Sequence, residues 1–173
     1  MKYLRGFSLL TTRMKEVTAI QFTQDQMRTL TGVSAETMRH WRKTIPYLSS
    51  KTGKAARFSF TDLVALAVTS ELVNSFGIQI AKMNAGVNSL FVLLGSQGVG
   101  SINGMVAFIT PTEVTLSDVD SFDPSPSRTP KTPTIAIPLA PHAKKIQQQV
   151  LPIVIPAQQT ELPFALQAVR SKP

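Results

Sequence analysis

Two helix starts only eleven residues apart, with a single glycine between them, constrain the first part of this 173-residue chain more than any other feature. In Thr23-Gln24-Asp25-Gln26 a threonine precedes a glutamine by three positions. The threonine hydroxyl can accept from the amide of Gln26, and the Gln26 side chain can reach back to the amide of Thr23. Phe22 and Met27 flank this box at the two positions of a hydrophobic staple. The spacing predicts a helix from there to about Thr31, ended by Gly32, which takes a positive φ without a Cβ penalty. Ser34 then caps a second helix, with Val33 and Met38 again in staple positions. The pattern is helix, tight turn, helix.

Within the second helix the residues divide into two faces. Met38 and Trp41 lie three apart and point inward with Val33, whereas Ala35, Glu36, Arg39, Arg42 and Lys43 point outward. The indole is therefore expected in the core. An exposed arginine-bearing helix that enters from a glycine turn has the form of a recognition helix, whose start meets base edges and whose cations reach phosphates.

Charge placement supports that reading. Residues 1–60 hold eleven Lys and Arg against three Asp and Glu, and the remaining residues hold seven of each, so the whole net charge of +8 sits in the first third. Concentrated there, it makes a local positive potential suited to a polyanion, nucleic acid first and an anionic membrane surface second. After Ile45-Pro46, where proline ends the helix, the segment Ser49-Ser50-Lys51-Thr52-Gly53-Lys54 is a basic turn between two stretches expected to pair as a hairpin, a wing beside the helix-turn-helix. Phe58 and Phe60 alternate with Arg57 and Ser59, which buries the rings and exposes the polar residues. Thr61 is expected to cap a third helix with Asp62 in its first turn, closed by Phe76-Gly77.

The run Leu30-Thr31-Gly32-Val33-Ser34-x-x-Thr37-Met38-Arg39-His40-Trp41, then the basic Gly53-to-Phe60 segment, then Asp62-Leu63-x-x-Leu66 and Phe76-Gly77-Ile78, resembles the DNA-binding domain of MerR-family winged helix-turn-helix regulators over about residues 20–85. The resemblance implies that Arg39 touches the DNA backbone, that His40 and Trp41 occupy the family's paired aromatic positions, that Arg57 is the wing arginine, and that Phe60 locks wing to helix. The chain departs from the family pattern at Arg42, where glutamate is usual, at His40, where tyrosine is usual, and at Thr44-Ile45, which replaces a Gly-Leu pair. The long dimerisation helix and sensing region common in the family have no convincing counterpart here.

Beyond this module, residues 78–94 read as a fourth helix, apolar nearly all round, that needs cover from later strands or from a second copy. Gly95 to Gly104 reads as a glycine-rich connector. Met105–Ile109 and Val114–Leu116 read as strands joined by Thr110-Pro111-Thr112-Glu113. Asp123 to Pro133 is a proline- and serine-rich linker, Ile135–Leu139 a candidate edge strand, and Ala143 to Val150 a short helix followed by a tail without pattern. The expected organisation is thus an arm at 1–19, a winged helix-turn-helix domain at 20–77, a helix and β-hairpin at 78–120 that can dimerise, a linker at 121–141, and a short helix with a flexible tail at 142–173. The fold class is α+β. Met14 is an alternative physiological start.

Enzyme readings lack parts. With no cysteine there is no disulfide framework and no thiolate chemistry, the two histidines, His40 and His142, have no carboxylate cluster beside them, and Thr52-Gly53-Lys54 is too little for a phosphate loop. Asp118, Asp120 and Asp123 lack the glycine and terminal glutamate of a calcium loop. No enzyme activity, cofactor or metal is expected. The expectation is a cytoplasmic, sequence-specific transcriptional regulator that binds double-stranded DNA as a homodimer, with no membrane partner and with the C-terminal tail as a candidate protein-binding segment. Ser34, Ala35, Glu36, Arg39, His40, Arg42 and Lys43 on the second helix, and Lys51, Lys54 and Arg57 in the wing, are the expected DNA contacts. The alternatives are a DNA packaging or recombination accessory factor using the same module, and a protein-interaction adaptor in which the winged fold is only a scaffold.

Overall fold

The computed structural model describes residues 20–121 and 132–154. The arm at 1–19, the core of the proline-rich linker and the tail beyond 154 lie outside the described residues. Seven α-helices and one small antiparallel sheet make up the described α+β fold: α1 (Gln24–Thr31), α2 (Ala35–Thr44), α3 (Pro46–Ser49), α4 (Phe60–Asn74), α5 (Asn84–Gly95), α6 (Val99–Ile102), β1 (Met105–Ile109), β2 (Val114–Asp118), β3 (Ile135–Pro138) and α7 (Ala140–Val154), with 3-10 turns at Ile80–Lys82 and Val119–Ser121.

The two expected helix starts form as read. Gln26 N–H donates to Thr23 Oγ1 (3.3 Å) and Thr23 N–H to Gln26 Oε1 (2.9 Å). Gly32 takes φ 72° and its N–H donates to the Arg28 carbonyl, and the Ser34 hydroxyl accepts from Thr37 N–H at 3.0 Å. All four staple residues, Phe22, Met27, Val33 and Met38, are buried. Each helix is short for an isolated peptide, so the buried face supplies most of its stability.

The segment after α2 differs from expectation. Pro46 opens a helical turn, α3, as its preset φ and missing N–H suit a first helical position. No hairpin forms within 47–60. Phe58 pairs instead with Phe22 through an antiparallel bridge, with Phe22 N–H to the Phe58 carbonyl at 2.8 Å and the reverse bond at 2.9 Å. Both rings are buried, and that burial draws the end of the basic turn against the entry to α1. The cap of α4 also shifts, from Thr61 to Ser59. Ser59 is extended and completes a reciprocal box with Asp62 at N3, and Thr61 lies buried in the first turn.

α4 is the central helix. Ten of its fifteen residues are buried, because α1, α5 and α7 all pack on it. The helix expected over 78–94 begins only at Asn84, after the 3-10 turn, and its cover is the chain itself: α4, α3 and the β1–β2 hairpin. Gly86 permits this approach. Its N–H donates to the Pro111 carbonyl at 3.1 Å, and a Cβ there would stand 2.1 Å from the Thr110 carbonyl oxygen. The glycine-rich connector contains a helical turn, α6, whose Val99 and Ile102 are buried and so tie the loop to the core.

The sheet order is β2-β1-β3, with Ile109 opposite Val114 on one side and Val106 opposite Pro138 on the other. β3 is thus an edge strand ending on its proline, the position where the missing donor costs nothing. α7 is longer than the helix expected over 143–150. It starts at Ala140, with Pro141 tolerated in the first turn, and runs to Val154. Ala143, Ile146 and Val150 bury one face of it. One continuous core extends from Phe22 to Val150. No helix among the described residues is long and apolar enough to cross a membrane.

Candidate nucleic-acid interface

α2 presents its two faces as the spacing predicts. Met38 is fully buried and Trp41 is 3% exposed, and these side chains lock the helix onto the core. Ser34, Ala35, Glu36, Arg39, His40 and Lys43 are exposed. Arg42 is not free. Half-buried, it donates from Nη2 to Gln24 Oε1 at 3.1 Å, and its buried Nε finds no partner among the described residues. It braces the last turn of α2 against the first turn of α1.

The basic turn between α3 and α4 holds the remaining cations. Lys54 and Arg57 are exposed. Arg57 folds Nη1 back toward the carbonyls of Ala56 (3.1 Å) and Lys54 (3.3 Å), which stiffens the turn and leaves the rest of the guanidinium outward. Lys51 behaves differently. Its ammonium is ion-paired with the Asp62 carboxylate, donates to the Arg57 carbonyl, and lies 5.1 Å from the centre of the Tyr47 ring and 5.6 Å from that of Phe58. An ammonium held over aromatic faces and paired with a buried carboxylate is a strut.

Asp62 is the hub of this strut and only 1% exposed. Oδ2 accepts from the Ser59 amide at 2.7 Å and from Lys51, and Oδ1 accepts from the Tyr47 hydroxyl at 2.6 Å. Burial, followed by the hydrogen bond to and the charge of Asp62, pushes the Tyr47 hydroxyl well above the ordinary phenol range, so it stays a donor. Tyr47 also stacks on Phe91 of α5, with centroids 5.1 Å apart and planes at 21°, and its amide donates to Asn88 Oδ1 at 2.8 Å. The basic turn is therefore anchored to both α4 and α5. Sequence reasoning missed Asp62 and Tyr47 in these roles. The Ser59-x-x-Asp62 spacing carried the signal, since it is itself a capping-box pattern.

A shallow cleft of about 360 Å³ at the α1–α2 turn adds Arg28 beside Ser34, and Arg28 is paired with Asp25 at 3.5 Å. Exposed cations thus stand both on α2, Arg39 and Lys43, and on the turn after α3, Lys54 and Arg57, groups suited to anion contact. No group of His, Asp or Glu able to hold a metal ion occurs among the described residues. Comparison with protein-family models, with curated proteins and with solved structures gave no match.

Proposed function

We propose that the protein is a cytoplasmic, non-enzymatic, sequence-specific DNA-binding regulator, similar to the MerR family in its DNA-binding module, with α2 as recognition helix and the 50–57 turn in the place of a wing. One observation carries this reading. α2 buries Met38 and Trp41 behind the Gly32 turn and leaves Arg39, His40 and Lys43 exposed, and the braced turn after α3 exposes Lys54 and Arg57. Ser34, Ala35 and Glu36, at the helix start, lie where base edges are read, and the cations reach phosphates. Arg42 and Lys51 support these contacts from behind. A homodimer on an inverted repeat fits the limited surface of one small module.

Fluorescence anisotropy on mixed genomic DNA fragments across a salt series, followed by sequencing of the retained fragments, tests the proposal. A steep loss of affinity with salt and one enriched inverted repeat are expected, and Arg39→Ala and Arg57→Ala should each weaken binding. Salt-sensitive binding without enrichment would favour a packaging or recombination accessory role. Absence of binding at low salt overturns the DNA reading and directs attention to an adaptor role with protein partners.

A further inference from the structure

A groove of about 280 Å³ lies where the chain enters α1 and where α7 ends. Among the described residues its apolar lining comes from Phe22, Leu30 and Val150, all buried members of the core, and from half-buried Ile20; Gln21 and Thr29 are exposed at it. Its volume lies at the small end of ligand pockets and suits a pair of large side chains. Two buried side chains support only about millimolar affinity for a free partner. A segment on a short tether meets the groove at an effective concentration in that same range. The occupant that the groove suits is therefore part of this chain.

Two segments lie within reach, the nineteen residues before Ile20 and the nineteen after Val154. α7 ends at Val154 because Pro156 drives the residue before it out of the helical region. That end is one helical turn, about 6 Å, beyond Val150. Residues 155–161, with a reach of up to about 25 Å, are ample to return Leu162-Pro163-Phe164-Ala165-Leu166 to the groove. The apolar run of the N-terminal arm, Phe7-Ser8-Leu9-Leu10, has a longer tether, residues 11–19, and follows Gly6. Pro163 restricts its own backbone and so lowers the ordering cost of docking, whereas Gly6 raises it. We infer that the groove is the docking site of the chain's own C-terminal segment Leu162–Leu166, with the Phe164 ring against Phe22, Leu30 and Val150. The docked segment clasps the entry of α1 to the end of α7. This clasp does not rest on the DNA-binding reading.

The chain has no cysteine, so disulfide trapping in the full chain tests the clasp against no background. With Thr29→Cys and Ala165→Cys together, oxidation at submicromolar protein should close an internal disulfide in the monomer. Adding Phe164→Ser should slow that closure by about ten-fold or more, as expected for loss of one buried ring, with unchanged circular dichroism. Gln21→Cys in place of Thr29→Cys gives the same comparison from another lining residue, should the first variant fold poorly. Equal rates with and without Phe164→Ser would show an undocked tether and overturn the inference. So would faster closure for Thr29→Cys with Ser8→Cys, which would assign the groove to the arm, or a product linked mainly between chains, which would assign it to a second copy.

Discussion

Replacing Asp62 by asparagine changes little in volume and removes the charge on which the basic turn depends. The carboxylate accepts from Ser59 N–H, from Tyr47 Oη and from Lys51, and an asparagine can satisfy at most part of that set, because its amide nitrogen is itself a donor facing donors. Losing one partner of a buried ion pair costs about 3–5 kcal/mol where the other charge is trapped. The Lys51 side chain is 23% exposed and can swing partly into water, which lowers the cost to about 2–4 kcal/mol, including the weakened cap of α4. Against a stability of about 5–15 kcal/mol this is a large loss, corresponding to a fall in melting temperature of roughly 10 °C. Urea unfolding followed by fluorescence of the single, buried Trp41 measures it. The double-mutant cycle with Lys51→Met isolates the pair, and a coupling of about 1–3 kcal/mol is expected. A loss below about 0.5 kcal/mol, or additivity in the cycle, would refute the strut.

Three further outcomes are expected. Gly86→Ala should destabilise the fold by about 2–3 kcal/mol or more, because its Cβ meets the Thr110 carbonyl oxygen at 2.1 Å and neither backbone can retreat easily; a neutral urea midpoint would show that α5 and the β1–β2 turn do not approach as described. Burial holds His142 below its ordinary 6.5, opposed by Glu71 and aided by Lys145, so the folded chain binds that proton less readily than the unfolded one. The contribution is complete above pH 6.5 and is lost as pH falls below it; His142→Gln should flatten the urea midpoint in that acidic window and leave it unchanged near pH 8. In the DNA salt series, Arg39→Ala and Arg57→Ala should each reduce the log–log slope by about 0.9, and Lys51→Met should leave it unchanged; a reduced slope for Lys51→Met would mean that its ammonium leaves Asp62 to reach phosphate.

The helical hairpin was legible because its instructions are local. Thr23, Gln26, Gly32 and Ser34 act within one helical turn, and Met38 and Trp41 declare their face by spacing alone. The β1–β2 hairpin was legible for the same reason, its strands being joined by Thr110-Pro111-Thr112-Glu113, where Thr110 N–H donates to the Glu113 carbonyl at 2.9 Å. What escaped reading depends on partners distant in the chain. The pairing of Phe22 with Phe58 replaces the hairpin expected within 47–60, and no local pattern at either end announces it. α7 exceeds the expected 143–150 at both ends, and at its start Pro141 occupies a first turn that needs no N–H.

For the candidate interface the same distinction decides which charges are available. Six cations were expected at DNA: Arg39, Arg42, Lys43, Lys51, Lys54 and Arg57. Two of them are committed inside the protein, Arg42 to Gln24 eighteen residues away and Lys51 to Asp62 eleven away, and no count of sequence charge separates a strut from a free cation. Four exposed cations remain, so one copy bound through them gives a salt slope of about 3.6, where six would have given about 5.4. A measured slope near twice the smaller value would then require either two copies on the DNA or the additional cations of residues 1–19, Lys2, Arg5, Arg13 and Lys15. Removing residues 1–19 separates the two: a dimer keeps the steep slope, and a monomer with a basic arm falls back to the shallow one.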